Sequence, residues 1–175
     1  MTFRIKDIPN SLTVVRIVLA VFIFLLLSLG RHWSDKIAGF LFILGAVTDF
    51  LDGLIARRFS VASDFGKIVD PIADKVFMFS VLLPFVVRGI IPGYVLYVIF
   101  FRDMIVMALR NMMVLKGQVS ASDILGKMKT LVLFVSSILC MFGYLKYGAL
   151  GLYIGAFISL ASGVNYCFKY FKRVG

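Results

Sequence analysis

The chain has 175 residues, of which 61% are hydrophobic, a mean hydropathy of +1.00 and a formal net charge of +10. Such apolarity excludes an ordinary water-soluble domain. The basic residues flank apolar runs, an arrangement that suits anionic lipid headgroups rather than nucleic acid.

A bilayer core of about 30 Å takes roughly 20 helical residues to cross, so the length allows about six spans and no separate soluble domain. The expected fold is an all-α integral membrane protein: six transmembrane helices with a short N-terminal interfacial segment, forming a single domain over residues 1–175. Any chemistry must then reside in the spans.

In chain order, residues 1–8 alternate Phe3, Ile5 and Ile8 with Arg4 and Lys6, which fits a stretch lying on the cytoplasmic leaflet before Pro9 turns the chain inward. A full-length span follows with no small-residue cleavage site, so these residues are not expected to be a secretory signal. Apolar runs predict helices over residues 11–30, 37–58, 67–88, 92–115, 122–145 and 148–170. Gly30 with the polar stretch 31–35, Arg88-Gly89 with Pro92, and Lys116-Gly117-Gln118 punctuate them. Assigning Arg31, Lys36, Arg88 and Lys146 to one side leaves the other basic residues on or near the opposite side, which the positive-inside rule makes cytoplasmic, together with both termini. Trp33, Tyr144, Tyr147 and Tyr153 then fall at the outer interface. Cys140 and Cys167 lie in separate apolar stretches without metal-ligand spacing and read as packing residues.

The segment VTDFLDGLIARRFSVASDFGKIVDPIADK, residues 47–75, carries the chemistry. On a helix Asp49, Asp52, Gly53 and Ala56 share one face, and on the next helix Gly66, Asp70 and Asp74 share another. Each aspartate deep in a membrane helix costs roughly 2.5–3.5 kcal/mol, and four together also repel. Packing cannot recover that cost, whereas two hard divalent cations, Mg²⁺ or Mn²⁺, can hold all four carboxylates. Paired cations clamp phosphoryl oxygens, so the site suits a diphosphate under cleavage, with Gly53, Ala56 and Gly66 leaving room and Arg57 meeting a further phosphate charge. The competing reading makes the aspartates caps and turns: Asp52-Gly53 opens a turn, and Asp70-Pro71 begins a helix, with Asp64 in the solvated loop before it.

The pattern D-x-x-D-G-x-x-A-R, eight residues, then G-x-x-x-D-x-x-x-D is met by Asp49, Asp52, Gly53, Ala56, Arg57, Gly66, Asp70 and Asp74. It resembles the signature of the CDP-alcohol phosphotransferases. The resemblance implies six transmembrane helices, a homodimer, two metal ions among Asp49, Asp52, Asp70 and Asp74, and Asp74 as the base that deprotonates an acceptor hydroxyl. It also implies that Asn10, Thr13 and Ser63 join Gly53, Ala56, Arg57 and Gly66 around a CDP-linked lipid.

Arg16 stands over a turn inside the first span and calls for a phosphate or an aspartate, unless it snorkels to the interface. Arg102, Arg110, Lys127 and Lys129 suggest an acceptor that itself carries phosphate, with Arg102 pairing to Asp103 and the lysines contacting lipid headgroups as the alternatives. The stretches DIPNSLTVVRI, FFRDMIVMALR and LGKMKT resemble the branch of the family that joins CDP-diacylglycerol to glycerol 3-phosphate. Asp103 and Asn111 stand where that branch commonly carries glutamate. Inositol phosphate, serine or phosphatidylglycerol as acceptor, a cation transporter using the same aspartates, and a noncatalytic lipid-binding subunit remain the other readings. The expected location is a bacterial inner membrane, with the active site facing the cytoplasm.

Overall fold

The computed structural model describes the backbone of residues 8–59, 64–115 and 124–174, and the side chains of residues 14–48, 71–113, 124–168 and 170. Among these residues the chain forms six helices and no strand: α1 (Ile8–Ser28), α2 (His32–Phe59), α3 (Asp64–Val87), α4 (Gly93–Leu115), α5 (Ile124–Met141) and α6 (Leu145–Val174). They divide into two compact units, Met1–Phe85 and Val86–Gly175. The interfacial segment expected before Pro9 lies almost wholly outside the described residues.

In the first unit α1 packs on α2. Ala20, Ile23 and Leu27 of α1 and Ala38 and Phe42 of α2 are buried. α1 ends at Gly30, whose φ of 65° is costly for a residue with a Cβ and whose N–H donates to the Leu27 carbonyl at 3.2 Å. The second helix begins at His32 and not at 37, because the polar stretch read as a loop makes its first turn. Ser34 Oγ donates to the Arg31 carbonyl at 2.8 Å, and Asp35 brings a negative charge to the helix N-terminus. α2 meets α3 where Phe42 stacks on Phe77, with ring centroids 5.0 Å apart and planes 17° apart. Gly45 makes this approach possible, since a Cβ there would stand 2.6 Å from Cζ of Phe77.

The cap-and-turn reading fails on the backbone. α2 is continuous through Asp52-Gly53, and α3 is already helical from Asp64, with Pro71 in its interior. Asp64 is therefore the first residue of a helix and not part of a loop, a position where an aspartate complements the exposed N–H groups. Pro71 costs α3 one ladder hydrogen bond, which helices in a membrane tolerate when neighbouring groups satisfy the freed carbonyl.

The second unit is built on α6, which packs against both α5 and α4. Gly148, Gly151 and Gly155 form one stripe of α6, facing Cys140, Ser136 and Leu133 of α5. α5 ends at Met141 and not at 145, because Gly143 at φ 96° donates to the Cys140 carbonyl at 3.1 Å and Tyr144 N–H to the Leu139 carbonyl at 2.9 Å, a Schellman cap. The closest approach to backbone is at Gly148, where a Cβ would stand 2.8 Å from the backbone nitrogen of Cys140 and 2.8 Å from the Ser136 carbonyl oxygen. Backbone cannot swing aside as a side chain can. Gly148→Val is therefore expected to destabilise by about 1–3 kcal/mol, read as a lower thermal midpoint in detergent; an unchanged midpoint would show that the helices separate freely. On the α4 side, Val106, Met113 and Tyr166 form a buried cluster with Leu109 and Tyr170 around it.

Two of the described helical stretches are long and apolar enough to cross a membrane by composition, Ile124–Met141 and Leu145–Phe168, with mean hydropathies of 1.7 and 1.5. Every helix nevertheless presents large apolar side chains outward, among them Phe22, Phe40, Val76, Phe101, Leu131 and Phe157. Apolar surface on this scale suits lipid better than water. Trp33, Tyr144, Tyr147 and Tyr153 are all exposed, as interface anchors require, and both cysteines are free.

Candidate functional site

Two polar centres are built into otherwise apolar helices, one in each unit. In the first, positions 49, 52, 53 and 56 lie on a helical stretch of α2, and positions 66, 70 and 74 on a helical stretch of α3. Residues 60–63 join the two helices, so they run antiparallel, and the Gly45–Phe77 contact sets their register. One turn on from Gly45 along α2 is position 49, and one turn back from Phe77 along α3 are positions 73 and 74. A further turn in each direction reaches 52 and 70.

The side chains of Asp49, Asp52, Gly53, Ala56, Arg57, Gly66 and Asp70 lie outside the described ones, as do those of Asn10 and Thr13, and Ser63 lies outside the described backbone. Asp74 is described. Its side chain is half exposed, and its Oδ1 accepts a hydrogen bond from Arg16 Nη1 at 2.6 Å, while the Arg16 side chain is only 7% exposed. Burial at this level rules out snorkelling for Arg16. An aspartate is its partner, one of the two that its depth called for.

The second centre joins α4, α5 and α6. Asp103 Oδ1 accepts from Arg102 Nη1 at 3.0 Å and from Lys129 Nζ at 2.5 Å, and Arg102 Nη2 donates to Ser162 Oγ on α6. The side chains of Lys129 and Asp103 are 4% and 9% exposed, and Arg102 is nearly as buried. Two cations thus share the carboxylate of Asp103. Arg102 Nε and Ser159 Oγ are buried polar atoms with no hydrogen-bond partner. Gly163 admits the arginine, since a Cβ there would stand 2.8 Å from Arg102 Cγ. Arg102 also borders an open apolar groove of about 540 Å³ between α4 and α6, with Tyr97, Phe101, Val164 and Phe168 among its walls.

Of the four basic residues expected to bind an acceptor phosphate, the structure therefore brings Arg102 and Lys129 together and leaves Arg110 and Lys127 exposed. Asp103 as the hub and Ser162 as a partner were not among the expected site residues. Asp103 carries a signal in the sequence, a charge next to Arg102 within an apolar run; Ser162 carries none.

Aspartates at 49, 52, 70 and 74 would offer oxygen donors alone, the chemistry that Mg²⁺ and Mn²⁺ prefer and softer metals do not. A buried arginine and lysine side by side have the chemistry to bind a phosphate.

Comparison with known proteins agrees with this chemistry. The profile of the CDP-alcohol phosphatidyltransferase family matches residues 6–161. A CDP-diacylglycerol–glycerol-3-phosphate 3-phosphatidyltransferase of Rickettsia felis is 35% identical over 178 residues, covering 95% of this chain and 98% of that protein. A probable phosphatidylglycerophosphate synthase of Mycobacterium tuberculosis is 34% identical, over 98% of this chain and 85% of its own length. The Bacillus subtilis CDP-diacylglycerol–glycerol-3-phosphate 3-phosphatidyltransferase is 29% identical, over 93% and 94%. With the aspartate spacing carried on two continuous helices and the match running through both units, the chain belongs to the CDP-alcohol phosphatidyltransferase family.

Proposed function

We propose that this protein transfers a phosphatidyl group from CDP-diacylglycerol to glycerol 3-phosphate, giving phosphatidylglycerophosphate and CMP. The observation that carries the reading is the eight-position pattern from Asp49 to Asp74, set on helical backbone whose register runs on from the Gly45–Phe77 contact. Near full-length similarity to enzymes named for this reaction supports the choice of donor and acceptor. The chain works as a single catalytic domain with six membrane spans, forms a homodimer and lies in a bacterial inner membrane, with site and termini facing the cytoplasm. Outward apolar side chains on all six helices support the spans.

Asp49, Asp52 and Asp70, with Asp74 as the fourth, hold two divalent cations, Mg²⁺ or Mn²⁺, which when bound neutralise the diphosphate and favour departure of CMP. Asn10, Thr13, Gly53, Ala56, Arg57, Ser63 and Gly66 bind the CDP-lipid, the glycines and alanine by leaving space and Arg57 by charge. Arg102 and Lys129 orient the phosphate of the acceptor, with Arg110 and Lys127 drawing it in from the cytoplasmic side. Asp74 accepts the proton of the acceptor's primary hydroxyl as its oxygen bonds to the lipid-side phosphorus and the bond to CMP breaks.

The test is release of CMP by the purified protein, given CDP-diacylglycerol, Mg²⁺ or Mn²⁺ and one acceptor at a time. Glycerol 3-phosphate is expected to give the fastest release, and a chelator to stop it. Faster release with inositol phosphate, serine or phosphatidylglycerol would reassign the acceptor, and no release with any of them would leave a noncatalytic lipid-binding protein. Cation flux into liposomes lacking CDP-lipid would favour the transporter.

A further inference from the structure

We infer that Arg16 is a positioning residue for this reaction, fixing the carboxylate of Asp74 in the orientation from which it receives the acceptor's proton. The inference rests on the reading of Asp74 as the base.

An aspartate cannot orient its own carboxylate. The terminal torsion of the side chain is broad, with no sharp staggered wells, and the Asp74 side chain is 49% exposed, so packing does not confine it either. An external anchor is needed. Arg16 supplies one from a different helix: its Nη1 lies 2.6 Å from Oδ1, and the arginine is held at 7% exposure in α1. The planar guanidinium directs its N–H groups along fixed lines, so a buried arginine restrains where Oδ1 sits.

Placement argues for function over support. Ala20, one turn beyond Arg16 on α1, and Ala73, next to Asp74 on α3, are almost wholly buried, so the pair stands beside buried apolar positions of both helices. An apolar pair there would stabilise the packing at least as well as an ion pair whose carboxylate remains half in contact with its surroundings. In a membrane helix the arginine also carries an insertion cost of roughly 2.5–3.5 kcal/mol that a leucine would not. What an apolar pair lacks is directional control of a proton-accepting oxygen. A small displacement of a reacting group is enough to cost about 10²-fold in rate.

The experiment measures CMP release by the full-length protein, in wild type and in Arg16→Gln, Arg16→Lys, Asp74→Asn and the Arg16→Gln/Asp74→Asn double variant. Mn²⁺ binding is followed independently by electron paramagnetic resonance. Arg16→Gln is expected to lower kcat by about 10–100-fold, with KM for both substrates within about threefold and Mn²⁺ affinity retained. Arg16→Lys, which keeps a cation but not the fork, should fall between Arg16→Gln and wild type. In the Asp74→Asn background, Arg16→Gln should cost nothing further, because a positioning residue acts only through the group it positions. Unchanged kcat in Arg16→Gln would overturn the inference, as would a loss confined to the KM for CDP-diacylglycerol, which makes Arg16 a phosphate ligand. Should Arg16→Gln not fold, wild-type kcat in Arg16→Lys would overturn it equally. Retained activity in Asp74→Asn removes the base assignment itself, and that failure is visible without any Arg16 variant.

Discussion

Asp74→Asn is expected to lower kcat by about 10²–10⁴-fold, the range that a positioned general base contributes. The substitution keeps the size and planarity of the side chain, so α3 and its contact with α1 should survive; asparagine can still accept the hydrogen bond that Arg16 donates to Oδ1. It removes the capacity to take a proton. CDP-lipid binding, which the proposed function assigns to Asn10, Arg57 and the small residues of the pattern, should persist, so the loss belongs in kcat and not in the KM for the donor. The comparison that gives the result meaning is Asp64→Asn. Asp64 begins the same helix but stands outside the spaced set, and its replacement should leave turnover within a small factor of wild type. Steady-state CMP release for the three proteins decides the matter, and an active Asp74→Asn would require another base.

The second large effect is on stability, at Asp103. Its carboxylate is the shared acceptor of Arg102 and Lys129, and all three side chains are close to fully buried. Asparagine in its place removes the negative charge that both cations share. Breaking a buried pair in this way costs about 3–5 kcal/mol, a large share of the roughly 5–15 kcal/mol that stabilises a typical domain. The expected outcome is a sharp fall in thermal midpoint in detergent, or failure to accumulate in the membrane. Replacing Lys129 as well, as Asp103→Leu/Lys129→Met, should recover part of the loss, because one of the two cations that Asp103 served is then gone while Arg102 keeps its hydrogen bond to Ser162. A single variant as stable as wild type would mean that water or lipid headgroups already screen the cluster. The double variant should still turn over glycerol 3-phosphate poorly, with raised KM, since Lys129 is gone.

Spacing made some of this legible in advance and left the rest hidden for a physical reason. The helices follow from apolar runs, and their ends were misplaced where polar residues enter a first turn, at positions 32–36 and 64–66, because an aspartate favours a helix N-terminus as readily as a loop, and where the Gly143 cap stops α5 early. The aspartate pattern is readable because its members lie within a few turns on consecutive helices. Tertiary partnership is not periodic. Arg16 with Asp74, Arg102 with Ser162 and Lys129 with Asp103 join residues far apart in sequence, and only the packing of whole helices brings them together. The stripe of Gly148, Gly151 and Gly155 is intermediate: its spacing marks a close-packing face, but nothing local names α5 as the helix it meets.

The shared carboxylate of Asp103 has a consequence for assembly. The chain is made from its N-terminus, so α4 emerges carrying Arg102 and Asp103 before α5 delivers Lys129 and α6 delivers Ser162. In the proposed membrane arrangement α4 must therefore wait at the insertion machinery or the interface with its ionic groups only partly matched. Among the described residues the two helices that follow are long and apolar enough by composition to cross a membrane, and a capped turn at Gly143 folds them into a hairpin with a glycine-lined seam. Entry of that hairpin brings the lysine and the serine to α4 together. A ribosome-bound chain that ends before α5 should accordingly hold α4 less firmly in the bilayer than one that ends after α6.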